Sequence, residues 1–350
     1  MRKITVGLLF LCLALVSANS PLQAKGEPVF VLAWSEYPSW STFGVLDEAG
    51  VINGKEGELG TVEKKWGVDI VLKEMDYDST IQLYASGKAD AVCITNMDIL
   101  SPSLSVPSVS ILPTSTSFGA DALIVSDKIK NLEDLKKVQV AGLDLSVSSY
   151  TFDKNLESRG ENPDNFKYAN MDPATAALQF QQKQLDAIVV WNPFVLDTLE
   201  KRPDSRVFFD STSIPGEIID MVVASRSALQ RPKGKEFASA VIEAFYEVNK
   251  MLADPAIGDD TLVALGEKFS NLGLESMRVV VQQTKFYSSP QEALQLFEGP
   301  SLKTTMDKVV GYSLKRKIIP QAPTIGYGPS DVQLDFDASY IKAVAAEPKA

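Results

Sequence analysis

The sequence predicts an α/β fold divided into two lobes, and three observations lead to that prediction. Apolar, strand-like runs alternate with amphipathic segments along most of the chain. The chain has 350 residues with 45% apolar content, and chains of this size usually form two domains. Gly or Pro stands at nearly every junction between segments. We therefore expect mostly parallel sheets that are covered by helices on both faces.

The chain starts with a β-α-β-α-β order. We predict strands at 29–33, 68–72 and 91–95, a helix that begins at 44–49, and a helix at 79–86. Residues 101–117 are rich in Pro and Ser and are expected to form a connection. A strand at 122–125, a capped short helix at 131–135, a strand at 138–141 and a helix at 147–158 follow.

The same alternation continues with a helix at 173–182 and strands at 187–190 and 221–224. Beyond them, apolar residues recur at spacings of three and four, which is typical of helices that pack against a core. This pattern predicts helices at 237–252, 260–269, 274–284, 290–297 and 302–316. The last third of the chain is therefore expected to be mainly helical.

The first 24 residues have the pattern of a secretory signal peptide. Arg2 and Lys3 precede an apolar run at 4–16, and Ala18 and Ala24 each end a candidate cleavage site. The run is shorter than the roughly 20 residues that a transmembrane helix needs. We expect export to the periplasm and a mature chain with Cys93 as its one cysteine, which excludes an intramolecular disulfide.

The composition excludes several classes of function. The sequence has no histidine, which removes imidazole acid-base chemistry and the commonest ligand of transition metals. It also has no paired-carboxylate motif, Gly-rich phosphate loop or metal-spaced cluster. The net charge of −11 falls to about −13 without Arg2 and Lys3, which disfavours nucleic acid and anionic membranes as partners. We expect a monomeric protein that is not an enzyme and has no catalytic residue, cofactor or metal.

The segment 34–40, Trp-Ser-Glu-Tyr-Pro-Ser-Trp, directly follows the first predicted strand. Ligands of open α/β sheets bind at the carboxyl ends of strands. Four other post-strand loops, at 95–98, 144–149, 191–194 and 214–220, are likewise rich in aromatic, hydroxyl, amide or carboxylate groups. The candidate ligand-binding residues are Trp34, Glu36, Tyr37, Trp40, Asn96, Asp98, Asp144, Ser146, Ser148, Trp191, Asn192, Glu217 and Asp220.

The charges in these loops indicate the kind of ligand. The windows 26–54, 89–127, 138–153, 184–200 and 207–225 contain no Lys or Arg, whereas carboxylates stand in four of the five loops. An anion site usually includes a cationic donor, although helix N-termini and hydroxyls can replace it. A planar guanidinium donates paired hydrogen bonds to carboxylates and stacks on an indole. The loops therefore favour a cation of this type.

Several candidates have a structural role as an alternative. Trp34 and Trp40 are also suited to core packing. Asp98 and Asp144 each precede a predicted helix whose first turn they are able to cap. The carboxylates of 217–220 lie where the chain is expected to return between lobes, and there hinge and ligand roles are both open.

The pattern 131–136 (NLEDLK), the Ser-rich helix start after Gly142 and the segment 191–194 (WNPF), together with the signal, resemble the nitrate/sulfonate/bicarbonate-type substrate-binding proteins of ABC importers. The resemblance covers nearly the whole mature chain. It implies a type II periplasmic binding protein fold, in which two α/β lobes joined by crossing strands close around a ligand. It also implies ABC permease subunits as partners. Lobe I is expected at 25–120 plus 217–350, and lobe II at 121–216.

Segments 33–38, 95–98, 145–150 and 213–221 more narrowly resemble a subgroup whose genes neighbour urea-carboxylase-related enzymes. The cargo implied by this resemblance is guanidine or a urea-like compound, so we expect a small, nitrogen-rich, cationic solute. The alternative is a binder of an aliphatic sulfonate, nitrate or a similar small anion. A pyrimidine-precursor enzyme on the same fold is disfavoured, because its chemistry uses a histidine that this chain lacks.

Overall fold

A computed structural model describes residues 26–269 and 271–347. The predicted signal peptide, residues 1–24, lies outside the described residues. Two separate sheets, each packed with helices, organise the described chain. This arrangement confirms the predicted α/β class with two lobes.

The elements before the first crossing between the sheets are β1 (Val29–Trp34), α1 (Thr42–Glu48), α2 (Thr61–Trp66), β2 (Asp69–Glu74), α3 (Tyr77–Ala85), β3 (Ala91–Thr95), α4 (Leu100–Ser103) and β4 (Ser108–Ser117). The second lobe contains β5 (Asp121–Ser126), α5 (Leu132–Leu135), β6 (Gln139–Gly142), α6 (Val147–Glu157), β7 (Lys167–Asn170), α7 (Pro173–Gln181), β8 (Ala187–Trp191), α8 (Phe194–Lys201) and β9 (Ser205–Asp210).

After the chain returns, the first lobe is completed by β10 (Ile219–Ser225), α9 (Arg226–Gln230), α10 (Gly234–Ala253), α11 (Gly258–Lys268), α12 (Leu274–Gln283), β11 (Thr284–Phe286), α13 (Pro290–Phe297), α14 (Pro300–Lys315), β12 (Ile325–Gly326), β13 (Leu334–Phe336) and α15 (Ser339–Ala345). Within the described ranges, none of these helices combines the length and the apolar character that a membrane crossing requires.

In both sheets most strands run in one direction, and one strand at or next to the centre is reversed; in the first sheet β11 is reversed as well. The strand order of the first sheet is β12-β13-β4-β10-β3-β1-β2, with β11 paired to β4, and that of the second is β7-β6-β8-β5-β9. The strand β10 is antiparallel to β3 and β4, and β5 is antiparallel to β8 and β9. Since β5 and β10 each follow a crossing, both strands begin at the end of their sheet that lies next to the other lobe.

The second sheet is buried on both faces, as its apolar strands require. Along β5, Leu123 and Val125 join Phe152 of α6 in one core cluster, whereas Ala122 and Ile124 join Phe180 of α7 in another. The first sheet belongs to a larger core in which Phe30 of β1 stacks on Phe237 of α10 at 4.5 Å. Packing on both faces holds the strands in place, and so it also positions the loops that follow the strands.

The two crossings are bonded to each other. The hydroxyls of Ser117 and Ser211 lie 2.7 Å apart, and the backbone N–H of Gly119 donates to Ser211 Oγ at 2.7 Å. Gly119 has φ = +104°, a backbone conformation that L side chains rarely adopt. The link between the lobes is therefore a short bonded pair of segments, with a glycine where the first one turns.

Most of the predicted strands and helices are confirmed to within a few residues, but residues 101–117 are not a connection. They form α4 and the ten-residue strand β4. This strand runs through Pro113, which the pairing with β10 accommodates beside a register shift opposite Asp220 and Met221. The strands β7, β9 and β11–β13 and the helices α2, α9 and α15 had no predicted counterpart.

Candidate ligand-binding site

A cavity of about 20 Å³ lies between the two lobes. It is lined by Tyr37, Trp40, Tyr77, Thr95, Asp121, Val147, Trp191, Ile218 and Asp220. Each of these residues is at most 7% exposed. They come from both sheets and from the crossing segments, so the lobes are closed around the cavity in this structure. A cavity of this size holds one or two water-sized groups.

Aromatic rings from both lobes surround the cavity. In lobe I, Trp40 lies 4.9 Å from Tyr37 and stacks on Tyr77 at 5.6 Å with an interplanar angle of 18°. Tyr77 then meets the edge of Trp191, from lobe II, at 5.8 Å. The indole N–H of Trp40 has no hydrogen-bond partner among the described residues. The rings supply faces for a flat or cationic ligand, and Trp40 also supplies a free indole donor.

Each lobe contributes one carboxyl group from the start of its reversed strand. Asp121, the first residue of β5, pairs across the sheet with Trp191 at the end of β8. Asp220, near the start of β10, pairs with Thr95 at the end of β3. Asp121 is 2% exposed and Asp220 is 1% exposed. An antiparallel strand begins where its parallel neighbour ends, and this geometry brings both carboxyls to the ligand edge.

These carboxyls are buried without a basic partner. Burial, together with the nearby charge of Asp98, raises the pKa of Asp121 to about 6 against the opposing effect of the Ser117 hydroxyl. Burial also raises the pKa of Asp220 well above its usual range, although a hydrogen bond from Ser115 opposes the shift. Of the described residues that line the cavity, none is a lysine or arginine. The carboxyls next to the cavity therefore have no counter-charge among the described residues that line it.

Asp98 lies at the edge of the cavity and faces the other lobe. Its Oδ2 accepts hydrogen bonds from Tyr77 at 2.8 Å and from Thr95 at 2.9 Å. Burial raises the pKa of Asp98 to about 6, whereas these bonds and the backbone N–H of Val147 lower it. Val147 is the first residue of α6, so a carboxyl of lobe I faces the positive end of a lobe II helix. The Oδ1 atom of Asp98 is buried and has no hydrogen-bond partner among the described residues.

Solved structures of periplasmic binding proteins are similar to this one. The aliphatic sulphonate binding protein SsuA from Escherichia coli superposes with a TM-score of 0.66 and 16% identity, over 84% of this chain and 94% of that one. The alkanesulfonate-binding protein SsuA from Xanthomonas axonopodis pv. citri, bound to MOPS, gives 0.64 and 14% over 84% and 96%. The nitrate-binding protein NrtA from Synechocystis PCC 6803 gives 0.54 and 12% over 83% and 88%.

The chain has the fold of these periplasmic binding proteins. The likeness confirms the type II binding-protein fold that the sequence predicted. The sequence matches no protein-family model, and it matches no curated protein. The cavity lies between the two lobes of this fold.

Four of the predicted site residues line the cavity of this binding-protein fold: Tyr37, Trp40, Trp191 and Asp220. Asp98 touches two lining residues. It does not cap the helix that follows, because α4 begins without a side-chain cap. Asp144 and Ser146 line a larger groove of about 510 Å³ outside the cavity, together with Tyr77 and Asp98.

In that groove, Asp144 is exposed and does not cap α6. Its Oδ1 accepts the N–H of Leu145 at 2.8 Å. The cap of α6 is Ser146, whose Oγ accepts the N–H of Ser148 at 3.1 Å and donates to the carbonyl of Leu143. The Ser148 hydroxyl is buried within the protein and has no hydrogen-bond partner among the described residues.

The other predicted residues make contacts elsewhere. Trp34 packs into the lobe I core beneath α1, close to Gly44. Asn96 accepts the N–H of Ile219 at 3.0 Å and donates to the carbonyl of Glu217 at 3.1 Å, so it holds the return crossing. Asn192 donates to Gln283 at 2.7 Å. Glu36 is partly exposed and is not one of the described residues that line the cavity.

Glu217 belongs to a set of bonds between the lobes that we call the interlobe ladder. The hydroxyl of Tyr150 in α6 donates to Glu217 Oε2 at 2.5 Å, and Lys308 of α14 pairs with Glu217 Oε1. Farther along, Asp153 of α6 accepts from the Tyr312 hydroxyl at 2.8 Å and from the Arg316 Nε at 2.7 Å. Lys315 bonds to Glu157 at 2.9 Å, and Arg316 also reaches Asp164 at 2.6 Å.

The interlobe ladder fastens α14, which packs on the lobe I core through residues such as Met306, to α6 of lobe II. Lys308 comes from outside the sequence windows around the five loops, and it neutralises Glu217. Asp98, Asp121 and Asp220 form no ion pair within the part of the chain that the structure describes. Glu217 is therefore a structural carboxylate that the protein neutralises itself, whereas the carboxyls that face the cavity are not neutralised.

Five lining residues were not among the predicted site residues: Tyr77, Thr95, Asp121, Val147 and Ile218. Tyr77 follows β2, so the rule that selected the other post-strand loops also applies to it. Asp121 begins a strand, and a sequence pattern does not show that this strand runs opposite to its neighbours. The direction of β5 was the missing information.

Proposed function

We propose that this chain is the exported solute-binding component of an ABC importer and that its cargo is a small cation of the guanidinium type. One observation carries the proposal. The cavity joins aromatic faces to the buried carboxyls of Asp121 and Asp220 with no lysine or arginine among the described residues that line it. The similarity to periplasmic binding proteins, one of which is described as belonging to a putative sulfonate ABC transporter, supports the role in transport.

A planar cation suits this inventory for three physical reasons. Its N–H groups donate charge-assisted hydrogen bonds to carboxylates, two at a time where the geometry allows. Its flat face stacks on an aromatic ring such as Trp40. Its charge offsets the repulsion among carboxyls that are buried together. A neutral, urea-like solute meets the first two conditions only, so we expect weaker binding of urea.

Size narrows the proposal further. The cavity of about 20 Å³ is small in the closed state, so it favours the most compact solutes and excludes a long substituent. Guanidinium has four heavy atoms and no side chain. An arginine-like molecule would need the lobes to stay apart. We therefore expect the affinity to fall as alkyl groups are added to the guanidinium nitrogens.

An anion is the second candidate, because the similar solved structures are described as sulfonate- and nitrate-binding proteins. The N-terminus of α6 is the element best suited to such a ligand. Here the protein's own Asp98 carboxyl faces that helix end, and Asp121 lies on the same cavity. An added anion would meet like charge in a region of low dielectric constant, which opposes its binding.

Isothermal titration calorimetry with guanidinium, urea, taurine and nitrate, at matched ionic strength, tests the proposal. We expect saturable heat with guanidinium, weaker heat with urea and none with the two anions. The variant Asp121→Asn serves as the control, because it keeps the shape of the site and removes one charge. Tight binding of taurine or nitrate without guanidinium heat would overturn the proposed cargo.

The transport role has its own consequences. We propose lobe boundaries at 120/121 and 216/217, cleavage of the leader during export to the periplasm, and delivery of the closed, loaded form to the permease. Closure would bring Asp121 of lobe II towards Asp220 of lobe I around the bound cation. A strain that lacks this chain should lose high-affinity guanidinium uptake and regain it when the wild-type chain is restored.

A further inference from the structure

A groove of about 510 Å³ lies next to the cavity and opens to solvent, since Asp78, Asp144 and Leu145 at its rim are exposed. The cavity itself holds about 20 Å³. Of the residues that the structure describes, Tyr77 alone lines both spaces. It is 7% exposed. The Tyr77 side chain therefore lies between the small cavity and the larger groove.

Tyr77 is held in place at the start of α3. Asp76, the residue before it, accepts the backbone N–H of Ser79 at 2.9 Å and caps the helix, which fixes where the first turn begins. The Tyr77 hydroxyl donates to Asp98 Oδ2 at 2.8 Å and accepts the backbone N–H of Thr95 at 3.1 Å. The side chain is thus fixed at both ends, by the helix and by the end of β3.

Two other rings pack against Tyr77 on the cavity side. The ring of Trp40 stacks on it at 5.6 Å between centroids, and the ring of Trp191, from lobe II, stands edge-on at 5.8 Å. Both tryptophans line the cavity and do not line the groove. Because the Tyr77 ring is packed against residues of both lobes, it forms a rigid part of the cavity wall.

The groove behind Tyr77 has the chemistry to hold the substituent of a larger cation. Ile81 and Leu143 offer apolar surface from the two lobes, while Asp78 and Asp144 place carboxyls at the rim. The described residues that line the groove include no lysine or arginine. An alkyl chain would be removed from water there without meeting a positive charge. The barrier to such a chain is therefore the Tyr77 ring.

We propose that Tyr77 determines the size of the solute, because its ring closes the cavity against the groove and so restricts the site to the smallest cations. The inference rests on the proposed function for the class of solute, whereas the wall exists without a ligand. In the closed state, an alkyl group of the solute that points towards α3 meets the Tyr77 ring. With a smaller side chain at this position, the same group extends into the groove.

Calorimetric titration of wild type and Tyr77→Ala with guanidinium and with butylguanidinium tests the proposal. In wild type we expect guanidinium to bind about 10- to 200-fold more tightly, which is the discrimination that a pocket achieves by the fit of a methylene group. In Tyr77→Ala we expect this ratio to fall to about one or to reverse, because the butyl chain enters the groove and buries apolar surface. A folded Tyr77→Ala protein that keeps the wild-type ratio would overturn the proposal.

Tyr77→Phe is the matched control, because it keeps the ring and removes the hydroxyl that bonds to Asp98 and Thr95. We expect it to retain the wild-type ratio. A ratio that falls as far in Tyr77→Phe as in Tyr77→Ala would assign the selection to these bonds and contradict the role of the ring. If Tyr77→Ala does not fold, Tyr77→Leu serves in its place, since leucine keeps an apolar side chain on α3 and is shorter than tyrosine.

A second measurement needs no ligand. The indole N–H groups of Trp40 and Trp34 are both buried without a hydrogen-bond partner among the described residues, but Trp40 lines the cavity and Trp34 lies in the lobe I core. We expect the Trp40 indole hydrogen to exchange with deuterium several-fold faster in Tyr77→Ala, because solvent then reaches the cavity from the groove. Trp34 should exchange as in wild type. Two-dimensional ¹H–¹⁵N NMR follows both signals, and an unchanged rate at Trp40 or an equal increase at Trp34 would count against the wall.

The outcomes separate this inference from the proposed function. If neither cation binds to any of the proteins but Trp40 exchanges faster in Tyr77→Ala, the proposed cargo fails and the wall remains. If guanidinium binds to wild type and the ratio of affinities is the same in Tyr77→Ala, the cargo remains and the role of Tyr77 fails.

Discussion

Asp121 and Asp220 hold equivalent positions in the two lobes. Each lies at the start of the reversed strand that follows a crossing. Asp121 pairs with Trp191, the last residue of β8, and Asp220 pairs with Thr95, the last residue of β3. Two similar sheets that face one another thus present one carboxyl each to the same small cavity. A ligand with donors on opposite edges would bond to both lobes at once.

Removing either carboxylate should weaken cation binding. For Asp121→Asn and Asp220→Asn we expect a loss of on the order of 10- to 100-fold in guanidinium affinity, because a charge-assisted hydrogen bond contributes about 1.5–3 kcal/mol. Calorimetric titration at pH 7.5 measures the effect. Asp144→Asn, at the exposed rim of the groove, is the matched control and should stay within about twofold of wild type. Equal losses in all three variants would contradict a specific role for the cavity pair.

The same Asp121→Asn variant should not destabilise the ligand-free protein at neutral pH. Burial raises the folded-state pKa of Asp121 to about 6, so the folded protein binds a proton more tightly than the unfolded chain. The stability that this proton contributes is fully present below about pH 4 and is lost as the pH rises through about 6. We expect the variant to melt at the same temperature as wild type or higher at pH 7.5, and to lose this advantage at pH 4.5. Differential scanning calorimetry at both values decides the point.

Cation affinity should increase with pH. The pKa values of Asp98 and Asp121 are raised to about 6 by burial, and a bound cation favours their ionised forms. Binding therefore releases protons below pH 6, and guanidinium affinity should rise from pH 5 to about pH 7. It should rise further with the ionisation of Asp220, whose pKa burial raises well above its usual range. Titrations in two buffers of different ionisation enthalpy would reveal the proton release. An affinity that is flat or falls over this range is incompatible with carboxylate recognition.

The ring of Trp40 should contribute to affinity through its face. For Trp40→Leu we expect about a tenfold weaker binding of guanidinium, since a desolvated cation–π contact contributes roughly 1–2 kcal/mol. Trp66→Leu is a suitable comparison, because the Trp66 indole N–H bonds to Glu243 in lobe I and the ring does not line the cavity. Equilibrium titration of both variants, with melting curves to confirm folding, gives the result. Similar losses in both would indicate a general loss of stability.

Loosening the interlobe ladder should open the protein without changing the cavity residues. Arg316→Gln removes the ion pairs to Asp153 and Asp164 across the lobes. We expect a larger radius of gyration of the ligand-free protein in small-angle X-ray scattering and a several-fold weaker affinity, because closure is then less favourable. Arg278→Gln breaks ion pairs within lobe I and should leave the scattering curve unchanged. A compact Arg316→Gln protein would show that the ladder does not hold the lobes together.

The regular parts of the fold followed from local patterns. β3 and α13 were predicted at their observed bounds, because an apolar strand and apolar residues at spacings of three and four are local signals. β4 was not recognised, since its Ser, Thr and Pro residues are typical of loops. Their burial comes from strands that pair on either side, which is information from distant parts of the chain.

Site residues that directly follow a strand were predictable from the sequence. Those whose position depends on the direction of a strand were not. Tyr37, Trp40 and Trp191 lie on post-strand loops and were selected for that reason. Asp121 was missed because its position at the ligand edge comes from the antiparallel pairing of β5. Glu217 was chosen on its charge, whereas its partner Lys308 is 91 residues away in sequence. Local windows do not reveal such a pairing.

The cavity also has a kinetic consequence. Its lining residues come from both lobes and each is at most 7% exposed, so a solute held there has no exit while the lobes are closed. The dissociation rate is then limited by how often the lobes separate, not by the strength of any single contact with the solute. The residence time of the solute would accordingly depend on how firmly α14 is bonded to α6. A permease that pulls these two helices apart would release the cargo without touching the residues that recognise it.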